Sequence, residues 1–120
     1  MDNAPPENAP ALPRRPRPAT RLPVPPKLGL EDEARIVGDA KIALRRADHE
    51  RVLDLTHEHA KLFPNGSLVA ERLAAEVMAL CALDRRSEAK ATRALLALRE
   101  RPALLERVDA ACEGPLLPER

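Results

Sequence analysis

His57-Glu58-His59 brings two imidazoles and a carboxylate together in this 120-residue chain and raises the question of a metal site. The surrounding residues have helical spacing, and on a helix residues two apart point about 200° from each other, so these two rings cannot share one ion. His49 lies about two turns before His57 and completes no ligand set. His59 is expected at a helix interface with one ring nitrogen bonded to backbone, and His57 in solvent. Cys81 and Cys112 are the two cysteines, both in apolar helical context. Buried reduced thiols are the plain reading; a disulfide requires their two helices to pack side by side, which spacing does not establish. Neither cysteine has a histidine close in sequence or a cationic cluster to make it a nucleophile. Glu31 and Glu33 form a carboxylate pair, explained by their place at a helix start. The four glycines stand apart and make no phosphate-cradling loop. These residues predict no catalysis, no metal, no cofactor and no small-molecule substrate.

The elements that position them follow from proline and periodicity. Nine of the 13 prolines lie between Pro5 and Pro26, so residues 1–30 are read as an extended or disordered Pro/Arg-rich arm. Its basic cluster is Arg14, Arg15 and Arg17. Residues 31–113 form the folded body and 114–120 a disordered tail. Glu31-Asp32-Glu33 favours a helix N-terminus, and the first helix runs to about Arg46 on a stripe of Ile36, Ala40, Ala43, Leu44 and Ala47. Gly38 inside it predicts a neighbouring helix in close approach. Asp48 caps the second helix, whose inner face is Val52, Leu55, Thr56, His59 and Phe63. Pro64 stops it, Asn65-Gly66 turns the chain, and Ser67 caps the third helix, with Leu73, Val77, Leu80 and Cys81 inward. Asp84 or Ser87 opens the fourth, with Ala89, Thr92, Leu95, Leu96 and Leu98. Pro102 opens the fifth, with Leu104, Leu105, Val108 and Cys112, and Glu113-Gly114-Pro115 closes it. Phe63, the single aromatic residue, is expected to plug the junction between the second and third helices.

The stretch Ala43–Val52 recurs about 37 residues later as Leu80–Ala89: an apolar helix end, a polar turn opened by aspartate, and a new amphipathic helix. Two helices per unit at a period of roughly 34–40 residues is the mark of tetratricopeptide-type repeats. The fold class is therefore all-α, about five helices in antiparallel hairpins of tetratricopeptide-like type, preceded by the Pro-rich arm. Charge is uneven: residues 1–30 carry five basic and two acidic side chains, and residues 31–113 carry 14 basic and 16 acidic. The nearly neutral body, with no Trp or Tyr, gives nucleic acid neither a field nor a stacking platform. No apolar run is long enough to span a bilayer, and no signal region is present, which predicts a cytoplasmic chain without membrane insertion.

A family resemblance rests on particular residues. Leu53, Leu55, His59, Ala60, Phe63, Pro64, Gly66, Leu68, Glu71 and Arg72 follow one motif. Ala79, Leu80, Cys81, Ala82, Leu83, Arg85, Arg86, Glu88 and Ala89 follow a second, and Arg107, Val108, Ala110, Ala111 and Cys112 a third. Together they make the body, about two-thirds of the chain, resemble tetratricopeptide-like domains of myxobacterial proteins, including C-terminal domains of anti-sigma-factor-like regulators. Asp84 stands where that pattern has a turn glycine, and Thr56 where it has an apolar residue. The resemblance implies a protein-binding module; the sigma-binding domain that such regulators carry lies outside it.

The expected function is a non-catalytic adaptor that binds another protein or peptide, in a bacterial regulatory or envelope-signalling assembly. In stacked two-helix units the first helix of each lines the concave side, which nominates Lys41 and Arg45 on the first helix and Glu71 and Arg72 on the third as partner contacts. The alternative is a nucleic-acid-associated regulator acting through Arg14, Arg15 and Arg17 of the arm.

Overall fold

The computed structural model describes residues 28–113, which form five helices: α1 (Leu30–Arg45), α2 (His49–Leu62), α3 (Val69–Ala82), α4 (Arg86–Ala97) and α5 (Pro102–Ala111). The arm with Arg14, Arg15 and Arg17, and the tail 114–120, lie outside the described residues. Short turns make consecutive helices antiparallel hairpins. Asp32 accepts the Gly29 amide at 3.0 Å at the head of α1, and Asp48 accepts the Arg51 amide at 3.4 Å at the head of α2. Pro102 occupies the first turn of α5.

The repeat seen in sequence is a repeat of backbone geometry. α1 ends with the Asp48 amide on the Ala43 carbonyl and the Ala47 amide on Leu44; α3 ends with Arg85 on Leu80 and Asp84 on Cys81. Both are the double bond of a left-handed helix stop, and Ala47 and Asp84 have φ of 59° and 60°. A turn glycine suits that region, and aspartate tolerates it better than most residues. Buried positions match across the same interval of about 37 residues: Val37 with Ala74, Ala40 with Val77, Ala43 with Leu80, Val52 with Ala89, Leu55 with Thr92, His59 with Leu96.

α3 is the centre. It packs against each of the other four helices, whereas among the described helices α1 and α2 reach neither α4 nor α5. Contact on all sides explains why it buries Val69, Ala70, Leu73, Ala74, Ala75, Val77, Ala79 and Leu80, more than one amphipathic stripe. Alanine at many of these positions lets helices approach closely. α5 is joined to α4 by Arg93, which donates from Nε and Nη2 to Asp109 at 2.8 Å each, and to α3 by a disulfide between Cys81 and Cys112. Among the described residues no helix is long and apolar enough to cross a membrane.

Several expectations are corrected. The cysteines are bonded to each other, not reduced, because α3 and α5 do pack side by side. Gly38 has open space where a Cβ would stand, so no close neighbour requires it. Val37, not Ile36, is buried in α1, and Ala47 is an exposed turn residue. α3 is capped at Leu68 rather than by the Ser67 side chain. α4 starts at Arg86, between the two expected openings Asp84 and Ser87. Leu95 and Leu98 are off the inner stripe of α4 and stand in solvent. Phe63 ends α2 half-buried, so it covers the junction from its edge and does not plug it.

Candidate functional site

Glu33 sits in the first turn of α1 yet is buried, because that turn is covered by the end of α2 and the α2–α3 loop. Its carboxylate accepts the Ser67 amide at 3.2 Å, the Leu68 amide at 2.8 Å and His59 Nε2 at 2.9 Å. It therefore caps the start of α3, where free amides and the helix dipole favour an anion. Gly66 makes room for it: a Cβ there would overlap the Glu33 carboxylate. Burial alone would push the Glu33 carboxyl up. The Leu68 amide, His59 and the Ser67 amide outweigh it and hold the group below its ordinary value.

His59 has no solvent exposure. Its Nδ1 accepts from Arg72 Nε at 3.0 Å; since a guanidinium only donates, the ring proton lies on Nε2 and faces Glu33. The expected backbone partner of His59 is thus replaced by two side chains. Phe63 stacks on the ring at a centroid distance of 5.5 Å. A histidine oriented by a carboxylate is the arrangement of a general base, but here the remaining lone pair is taken by Arg72 and the ring is fully buried. What the relay does is hold Arg72 in place.

Arg72 emerges from this relay with a side chain 12% exposed and Nη1 3.9 Å from Glu76 Oε1. Glu76 is shared with the exposed His57, whose Nε2 is 3.8 Å from Oε2. Burial lowers the Arg72 pKa and the nearby Arg99 lowers it further, against Glu76. Burial raises that of Glu76, with Glu88 adding to it against His57 and Arg72. Beside Arg72 an open groove is lined by Val69 and Leu73 from α3, Leu95 from α4, and Leu98 and Arg99 from the turn after it. Leu95 is 54% and Leu98 77% exposed.

A second groove lies between α1, α3 and α5, lined by Lys41, Leu44, Glu71, Ala74, Ala75, Met78, Leu104 and Arg107. Lys41 and Glu71, two of the nominated partner contacts, both line it. Glu71 Oε2 accepts from Arg101 Nη2 at 3.0 Å, while Oε1 is buried without a hydrogen-bond partner. Arg45 is exposed in the last turn of α1 and does not line this groove. Arg72 is parted from Glu71 because adjacent helical residues point about 100° apart, which sends it to the other side of α3. Lys41 and Glu71 thus share one groove, Arg72 lines another and Arg45 neither, and Arg72 is fastened to the interior instead of standing on a face the core does not use.

Sequence reasoning missed the burial of Glu33 and the exposure of Leu95 and Leu98. A signal for the first was present: His59, Gly66, Leu68 and Arg72, which share one motif of the resemblance, all converge on the Glu33 carboxylate or its histidine. Among the described residues no group of three or more His, Cys, Asp or Glu is placed to hold a metal ion. Comparison with protein-family models, with curated proteins and with solved structures gives no match to this chain.

Proposed function

We propose that this chain is an adaptor of tetratricopeptide-like build, binding a protein or peptide rather than performing chemistry. The observation that carries the reading is the pair Leu95 and Leu98, mostly exposed beside the apolar floor of Val69 and Leu73. Leucines at the end of α4 that stay mostly exposed among the described residues, next to a groove with an arginine fixed from below, are what a binding surface requires. The groove between α1, α3 and α5, with Lys41 and Glu71 and with Arg45 nearby, is a second contact surface in this proposal. A bacterial regulatory or envelope-signalling assembly, the setting that the resemblance implies, belongs to the same proposal.

The test is site-specific photo-crosslinking in the source cells, with the crosslinker at Leu98 and, as control, at the exposed Arg35. A discrete adduct identified by mass spectrometry is expected at Leu98 and not at Arg35. Leu95→Ser with Leu98→Ser in a crosslinker-free chain should remove co-purification of that partner without moving the melting midpoint. Identical adduct patterns from both positions would count against the reading.

A further inference from the structure

We propose that the groove between α3 and the end of α4 binds an acidic, leucine-type peptide, with a ligand carboxylate held between Arg72 and Arg99 and apolar side chains against Leu95 and Leu98. This rests on the adaptor reading and names the chemistry of its partner.

The argument begins with how Arg72 is held. Its Nε is spent on His59 Nδ1, and His59 is in turn fixed by Glu33. A guanidinium anchored through Nε keeps a rigid fork and presents its terminal nitrogens outward. Glu76 lies 3.9 Å from Nη1, too far for a hydrogen bond, and is divided between Arg72 and His57. Nη2 has no protein acceptor among the described residues, and it is not sealed in the interior. Arg99, exposed at the other wall, has no carboxylate partner among the described residues. Two guanidiniums thus line a groove with an apolar floor and no carboxylate among its lining residues, and the distant Glu76 is divided between Arg72 and His57. That is a surface short of an anion.

The second repeat shows that the relay is not a requirement of the hairpin. The positions equivalent to Glu33 and His59 are Ala70 and Leu96, which pack without polar atoms. A buried Glu–His–Arg chain is expensive to desolvate, and what it delivers at its outer end is an oriented cation at a groove. Pre-organisation of that kind reduces the entropy lost when a ligand binds. A carboxylate accepts from a planar fork in two parallel bonds, and the leucines select for apolar neighbours. A bare phosphate chain would leave Leu95 and Leu98 uncovered, so the peptide is the favoured ligand.

The experiment uses the full chain and fluorescence anisotropy with three labelled peptides sharing a Leu-Xaa-Leu-Leu core, where Xaa is Asp, Asn or Lys. The Asp peptide should bind at least ~10-fold more tightly than the Asn peptide, the discrimination expected of a charge-assisted hydrogen bond. Arg99→Glu, at an exposed position, should abolish that preference with an unchanged melting curve. Leu98→Ser should weaken the Asp and Asn peptides together. Equal binding of Asp and Asn peptides, preference for Lys, or indifference to Arg99→Glu would overturn the proposal. So would a single-stranded oligonucleotide that displaces the Asp peptide at lower concentration than unlabelled peptide does. If these arms fail while Leu98 still crosslinks to a partner, the carboxylate assignment falls alone; if the crosslink fails as well, the adaptor reading falls with it.

Discussion

Glu33 Oε2 and His59 Nε2 lie 2.9 Å apart with no water-accessible surface on the histidine, joining the first turn of α1 to the last turn of α2. The same carboxylate reaches past His59 to the two amides that open α3. One side chain thus ties three helices at their ends, and its neighbours carry that order out to Arg72. Its removal should therefore be felt in stability and in the geometry of the surface.

Glu33→Gln keeps the shape but presents an amide where two backbone N–H groups and His59 need acceptors. Leaving buried donors without an acceptor costs about 1–3 kcal/mol. Urea unfolding followed by circular dichroism should show a loss of that order. A loss under about 1 kcal/mol would mean the site relaxes without it.

The pH dependence of that contribution has a definite sign. Hydrogen bonds overcome burial and lower the Glu33 pKa from the ordinary 4.5. A carboxyl lowered on folding stabilises fully above its unfolded value, and that contribution is lost as pH falls through its folded value. Below about pH 4.5 the melting midpoint of the native chain should drop more steeply than that of Glu33→Gln, with the gap between them constant above it. Glu76, raised by burial, works in the opposite sense, but it is present in both proteins and cancels in the difference.

Two glycines should respond in opposite directions. Gly38 is helical with open space around a Cβ, so Gly38→Ala should stabilise by about 0.4–1 kcal/mol. Gly66→Ala must displace the Glu33 carboxylate and should destabilise by at least ~1 kcal/mol, the cost of leaving buried donors unpaired. Equilibrium unfolding of the two variants checks both signs.

The Cys81–Cys112 disulfide closes 31 residues and holds the terminal helix to the centre of the fold. Reduction, or Cys81→Ser with Cys112→Ser, should lower stability by about 2–4 kcal/mol. Amide exchange should rise first in α5, whose remaining buried side chains are Leu104 and Val108. Uniform acceleration across all helices would show that the bond stabilises the domain globally.

Phe63, half-buried and stacked on His59, has less to lose than a core phenylalanine. Phe63→Ala should cost about 1–2 kcal/mol, below the ~3–5 of a buried ring. Urea titration separates the two ranges.

Helix number, a turn opened by Asp48 and one by Asp84, and the opening proline of α5 were legible in the residues, because capping, proline chemistry and periodicity act over a few positions. The repeat interval was legible too, and the matched buried pairs from Val37 with Ala74 to His59 with Leu96 follow it. What tertiary structure alone decided were relations between helices. Glu33 reads as an acid in the first turn of its own helix; it caps a different one because α1 and the α2–α3 loop converge in space. Cys81 and Cys112 read as separate thiols until α3 and α5 lie side by side. Leu95 and Leu98 read as core by hydrophobicity, yet the buried side chains of α4 are Ala89, Thr92 and Leu96. Local rules select the helices, but which side of each finds a neighbour depends on crossings between segments far apart in the chain. The candidate surface is therefore made of residues whose types were visible and whose meeting was not.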